Sequence, residues 1–176
     1  MGTVQQFTTS AEFWSEMVAP DFDEYLANTG DLRVALHLAI SLFHMADWVY
    51  HSHETAVKAS FTFMDKNNNV QTITCSDNFA NALEQLCEDF GRIRGIANSA
   101  KHLKLRQSSV RSVQNAPSHA ANTYVETTGY GVGGYGVGGY GGTPHVILEG
   151  AIDMEFSQIA QAVFDMWVSL KSSYGW

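Results

Sequence analysis

His37, His44 and His51 recur every seven residues, a spacing that drifts only about 20° per step on a helix and keeps all three imidazoles on one stripe. Asp47 follows His44 by three residues and precedes His51 by four, within reach of both on a helical surface. Imidazoles and a carboxylate so placed support three chemistries. They could ligate a transition metal through His44, Asp47 and His51. They could form an acid/base pair in which Asp47 fixes a histidine tautomer. Or Asp47 and one histidine satisfy each other in a crowded core while another histidine reaches solvent. A metal centre calls for a second matched cluster. The chain has none, so no metal or other cofactor is assigned, and mutual satisfaction is the leading expectation.

The second constellation lies in residues 91–105, GRIRGIANSAKHLKL. Asn98 and His102 are one turn apart and share a face with Arg94 and Lys101. Six of the ten basic residues (Arg92, Arg94, Lys101, Lys104, Arg106 and Arg111) fall within twenty positions that hold no Asp or Glu. Elsewhere four basic residues face eighteen acidic ones, and the chain's net charge is −8. The molecule as a whole should repel nucleic acid and anionic membranes, whereas this run would suit phosphate contacts. Its bland counterpart is a solvated helix C-terminus, where cations complement the macrodipole.

Residues 129–142, GYGVGGYGVGGYGG, match G-x-G-x-x-G twice. A dinucleotide loop needs a strand before it, a helix opening on its last glycine and an acidic residue about twenty positions on. Here the preceding segment is rich in Ser and Asn, and TPHVILEG after it is strand-like. The motif is one five-residue unit repeated, which marks low complexity rather than a phosphate loop. It reads as a mobile, Tyr-bearing tip on a β-hairpin.

These groups must be positioned by a mainly helical chain. Residues 10–28 carry apolar positions at helical spacing behind a Ser10 cap, with Pro20 expected to break or kink the element. Residues 31–53 start at an Asp31 cap and are apolar on nearly all sides, as a central buried helix must be. Residues 58–75 change to a period of two around three asparagines, a small β-hairpin. A helix capped by Ser76 or Asp77 then presents Phe79, Leu83, Leu86 and Phe90 on one face and runs to about residue 105, interrupted at Gly91 and Gly95. After a strand and loop from 108, and a strand pair or bent strand at 145–156, an amphipathic helix covers 156–173. The expected fold is a single domain over residues 1–176, a bundle of four to five helices with β-hairpin accessories.

The early helix ending MADWVYHSH and the later one carrying RGIANSAKH resemble the HEPN superfamily, in particular uncharacterised bacterial HEPN-like helical bundles. The resemblance covers roughly residues 30–105 plus the last helix. It implies an HEPN-like bundle, a homodimer, and contact with RNA or a nucleotide. Active members of that superfamily are mostly metal-independent endoribonucleases. Their signature is an Arg followed four to six residues later by His, often with a polar residue after the Arg. His102 matches the His and Asn98 the polar position, which would make His102 the general acid/base with Asn98, Asp47 and Arg94 as positioning groups. The Arg position falls on Ala97, and neither Arg94 nor Arg92 has the signature spacing. The reading is therefore a non-catalytic binding module, with Arg94, Lys101, His44 and His51 as ligand contacts; the alternatives are a nuclease using His102 and a metal-binding bundle.

Cys75 and Cys87 make neither a disulfide framework nor a C-x-x-C motif, and are expected to be reduced thiols in a cytoplasmic protein, with Cys87 packed in a helix. The N-terminus lacks the pattern of a signal peptide. Residues 34–50 are interrupted by His37, His44 and Asp47 and are not expected to span a membrane.

Overall fold

The computed structural model describes residues 7–101, 119–128, 143–149 and 154–176. They form a mainly helical fold with two small antiparallel sheets. Five helices have nine residues or more: α2 (Ala19–Ala27), α3 (Leu32–Ser52), α5 (Ser76–Leu86), α6 (Glu88–Lys101) and α7 (Phe156–Tyr174). Two short helices, α1 (Ser10–Phe13) and α4 (Glu54–Ser60), complete the described α-helices, and a 3-10 turn covers Ala120–Asn122.

The first helical stretch is continuous through Pro20. Its cap is Thr9 rather than Ser10: the Thr9 hydroxyl accepts from Glu12 N, and the Glu12 carboxylate accepts from Thr9 N. This reciprocal capping box satisfies two otherwise orphaned donors. Ser10 is instead buried one position inside, within hydrogen-bond distance (3.0 Å) of His53 Nε2. Between α1 and α2 the backbone widens into a π segment, Trp14–Val18, and Ala19 N donates to Trp14 O, five residues back. Proline has no N–H and its ring crowds the carbonyl four residues earlier. The wide turn just before Pro20 accommodates the residue without a break.

Helix α3 is central, packed against α1, α2, α5, α6 and α7. Its cap is Asp31, whose carboxylate accepts from Arg33 N and Val34 N. Val34, Leu38, Leu42, Met45 and Val49 are buried along it. Trp167 of α7, fully buried, donates from Nε1 to Leu42 O at 3.1 Å. Among the described residues α3 alone is long and apolar enough to cross a membrane, and half of its most apolar window is buried inside the fold. Phe22 stacks on Phe164 at 4.0 Å, and Tyr25 meets Phe156 edge-on at 5.1 Å. Burial, with Glu155 nearby, pushes the Tyr25 phenol up to about 12.

The hairpin expected in residues 58–75 is present as β1 (Thr62–Met64) and β2 (Val70–Thr72), with Phe63 opposite Gln71. Its loop turns through Asn68 at φ 61°, a conformation asparagine tolerates better than most residues. The Asp65 carboxylate accepts from Asn67 N, Asn69 N and Gln71 Nε2, and these bonds hold its acidity above that of an ordinary aspartate. The second sheet orders β3 (Thr123–Thr128), β4 (Thr143–Leu148) and β5 (Met154–Glu155). Thr128 pairs with Thr143 in the β3–β4 ladder, so the glycine repeat links two antiparallel strands. The repeat itself, residues 129–142, lies outside the described residues, as do residues 108–118.

Of the stretch expected as one helix from residue 76 to about 105, the described part, to Lys101, is two helices. Cys87 has extended dihedrals (φ −141°, ψ 108°) and separates α5 from α6. The cap of α5 is Cys75, without a side-chain cap bond, rather than Ser76 or Asp77. Leu86 is exposed, whereas Phe79, Leu83 and Phe90 are buried. Gly91 and Gly95 do not interrupt α6; both lie on its buried side. Cys87 sits in the junction, not in a helix, and burial pushes its thiol up. Glu88 and Asp89 open α6, where carboxylates favour the positive end of the helix dipole.

Candidate functional site

Three of the polar groups singled out in the sequence, His44, Asp47 and Lys101, come together where α3, α5 and α6 pack. Tyr50 of α3 donates to Thr74 O at 3.0 Å and pins the start of α5 beside α3. Ser76, in the first turn of α5, then hydrogen-bonds the Asp47 carboxylate. On the other side of that carboxylate, His44 Nδ1 lies 3.3 Å from Asp47 Oδ2. His44 Nε2 in turn lies 2.9 Å from Lys101 Nζ, at the described end of α6.

This chain of contacts fixes a tautomer. An ammonium carries three donors and no acceptor, so His44 Nε2 must accept from Lys101. The ring proton then resides on Nδ1 and is donated to Asp47. The Asp47–His44 pair expected from the spacing is therefore present, but on an open face rather than in the core: their side chains are 46% and 32% exposed. The His44 hydrogen bond, joined by that of Ser76, holds the Asp47 carboxyl below the ordinary aspartate value, against an opposing push from burial.

His51 contributes to the field at Asp47 but is exposed, and it makes a ring contact with Tyr50 at 5.3 Å. His37 is exposed one heptad earlier. The three histidines share a stripe without sharing a site. Among the described residues, no group of three His, Cys, Asp or Glu side chains converges as a metal would require.

Arg94 is elsewhere engaged. It donates to Glu84 Oε1 at 2.8 Å, Asp77 Oδ1 at 3.0 Å and Asn81 Oδ1 at 3.1 Å, all on α5. Its guanidinium also sits 5.7 Å from the centre of the Phe43 ring. The Arg94 and Glu84 side chains are only 11% and 9% exposed, whereas Asp77 is 78% exposed, so the network is a strut between α5 and α6, buried at Glu84 and open at Asp77. Arg92 is similarly committed to Glu88 and Asp89, at 2.6 Å each.

Ala97 is fully buried and Asn98 half-buried on α6. His102 lies outside the described residues, as do Lys104, Arg106 and Arg111. The structure thus brings together Asp47, His44 and Lys101, and keeps Arg94 in a separate network.

The contact that sequence reasoning missed is Lys101 on His44. Residues 57 positions apart carry no local signal. The basic run hinted only that Lys101 belonged near a site. No family model, curated protein or solved structure matches this chain.

Proposed function

We propose that this chain is an HEPN-like, non-catalytic binding module that contacts RNA or a nucleotide through the C-terminal end of α6 and the basic run after it. The observation that carries this reading is the fate of the cations on α6. The position of the signature arginine is Ala97, buried without exposure, and Arg94 is spent on Asp77, Asn81 and Glu84. Phosphodiester cleavage needs donors or cations aimed at the charge that develops in the transition state. Ala97 offers none, and Arg94 would have to leave a nearly buried carboxylate to do so. Binding asks for less. An exposed cation near the start of a basic run supplies the electrostatic term that dominates nucleic-acid affinity. Lys101 is such a cation.

The test is incubation of the purified protein with labelled single-stranded RNA at low salt. The expected result is retarded migration on a native gel and full-length RNA on a denaturing gel, for the wild type and for His102→Ala alike. Cleavage that disappears in His102→Ala would overturn this reading in favour of a nuclease. Absence of retardation would overturn RNA contact.

A further inference from the structure

Four of the described cations are held by carboxylates: Arg33 by Glu24, Lys58 by Glu54, Arg92 by Glu88 and Asp89, and Arg94 by Asp77 and Glu84. Lys101 is held differently. Among the described residues its hydrogen-bond partner is the neutral imidazole of His44, which leaves the ammonium charge uncompensated at an exposed position with two further N–H donors.

The Lys101–His44 bond survives only while Nε2 is unprotonated. A second proton on the ring turns Nε2 into a donor facing another donor, and sets two cations 2.9 Å apart. An anion between them resolves the clash by accepting from both. Asp47 stays on Nδ1 in either state, so the ring keeps its orientation as the second proton arrives.

Among the described residues the following groups face this ring. Asp47 and His51 lie on α3 itself, Ser76 on α5 is committed to Asp47, and Lys101 faces it from α6. Asp77 and Arg94 are committed to each other. No described carboxylate pairs with Lys101 and competes for that side.

We propose that His44 Nε2 and Lys101 Nζ form a subsite for one phosphate group of a phosphodiester or a nucleotide, filled as His44 takes up one proton from solvent. This rests on the binding reading above and adds to it a contact atom pair and a pH response. Phosphate oxygens accept from Nε2–H and from Nζ–H; in these bonds donor and acceptor are both charged, whereas in the Lys101–His44 bond they displace only the donor is.

The test uses hexauridylate without terminal phosphates, whose phosphodiesters hold their charge across the pH range. Its binding is measured by calorimetry at pH 8 and pH 5.5, in two buffers of different ionisation heat. Wild type should bind about fivefold or more tighter at the lower pH and take up protons on binding, since the filled subsite carries one proton more on His44 than the empty one. His44→Gln keeps a hydrogen-bonding group beside Lys101 but cannot gain the charge; it should lose most of that gain and the proton uptake. Circular dichroism checks that this variant is folded. As a second readout on the wild type, ¹⁵N spectra should place the proton on Nδ1 at pH 8 and shift Nε2 when hexauridylate is added. Adenosine monophosphate as competitor distinguishes the sources: displacement at equal phosphate concentration assigns a nucleotide, and failure to displace assigns a strand of RNA. Binding with the same pH profile and proton uptake in wild type and His44→Gln would overturn the subsite while leaving the binding reading intact. No binding at either pH would overturn both.

Discussion

Arg94 and Lys101 stand seven residues apart on one helix, about 10 Å along its axis at 1.5 Å per residue. They serve opposite purposes. Arg94 is nearly buried and meets two carboxylates and an amide across α5. Lys101 is exposed and meets an imidazole oriented by Asp47. The difference lies in what each partner can become. A carboxylate that neutralises a buried arginine gives a strut that costs several kcal/mol to break. An imidazole that accepts from an exposed lysine can be converted to a cation by one proton, and the contact is then released. Two cations of one basic cluster are thus set apart by the fold: Arg94 joins α6 to α5, and Lys101 faces outward.

The largest expected effect comes from breaking the closed half. Arg94→Ala leaves Glu84 nearly buried without its guanidinium, and should cost about 3 kcal/mol of stability in urea denaturation. A loss below about 1 kcal/mol would show that solvent or other side chains replace the arginine readily. The same substitution at the open half should behave differently. Lys101→Ala should change stability by no more than about 0.5 kcal/mol, as surface changes generally do. A loss comparable to that of Arg94→Ala would erase the contrast between the two sites.

The smallest effect concerns acid. The folded-state value of Asp47 lies below its ordinary 3.8, so ionised Asp47 favours the folded state. That contribution is complete above 3.8 and fades as pH falls through the lower folded value. Because Asp47 is half-exposed, the amount is less than about 1 kcal/mol. Asp47→Asn should therefore show a slightly shallower loss of stability below pH 3.8 than the wild type, followed by thermal melts. Among the described residues Glu12, Glu54 and Asp65, whose values are also lowered by hydrogen bonds, add to that slope. An identical acid slope in both proteins would mean that Asp47 is not held by His44 in solution.

What the sequence discloses here is what short-range physics determines. The Asp31 cap, the buried run of α3, the hairpin around three asparagines and the final helix all follow from residues within a few positions of one another. The break at Cys87 was missed because no glycine or proline marks it. The readable signal was the acidic pair Glu88 and Asp89, which suits the opening of a new helix better than the interior of an old one. The two glycines that drew attention instead lie quietly inside α6. At Pro20 a break or kink was anticipated, and the backbone took a third course by widening one turn.

The site was legible only in part, for the same reason. Asp47 and His44 share a helix, so their spacing disclosed the pair. Whether His44 would meet Lys101, and Arg94 would turn to α5, depended on how three helices pack. Nothing in the spacing of residues 91–105 separates the two cations.

If Lys101 contacts phosphate at the described end of α6, the salt dependence of binding must change when it is removed. The measurement is the slope of log affinity against log salt for a single-stranded oligouridylate, in the wild type and in Lys101→Ala. Each phosphate contact on a single strand contributes about 0.7 to that slope. Lys101→Ala should give a slope shallower by about 0.7, with weaker binding at low salt. Equal slopes and equal affinities in the two proteins would contradict it.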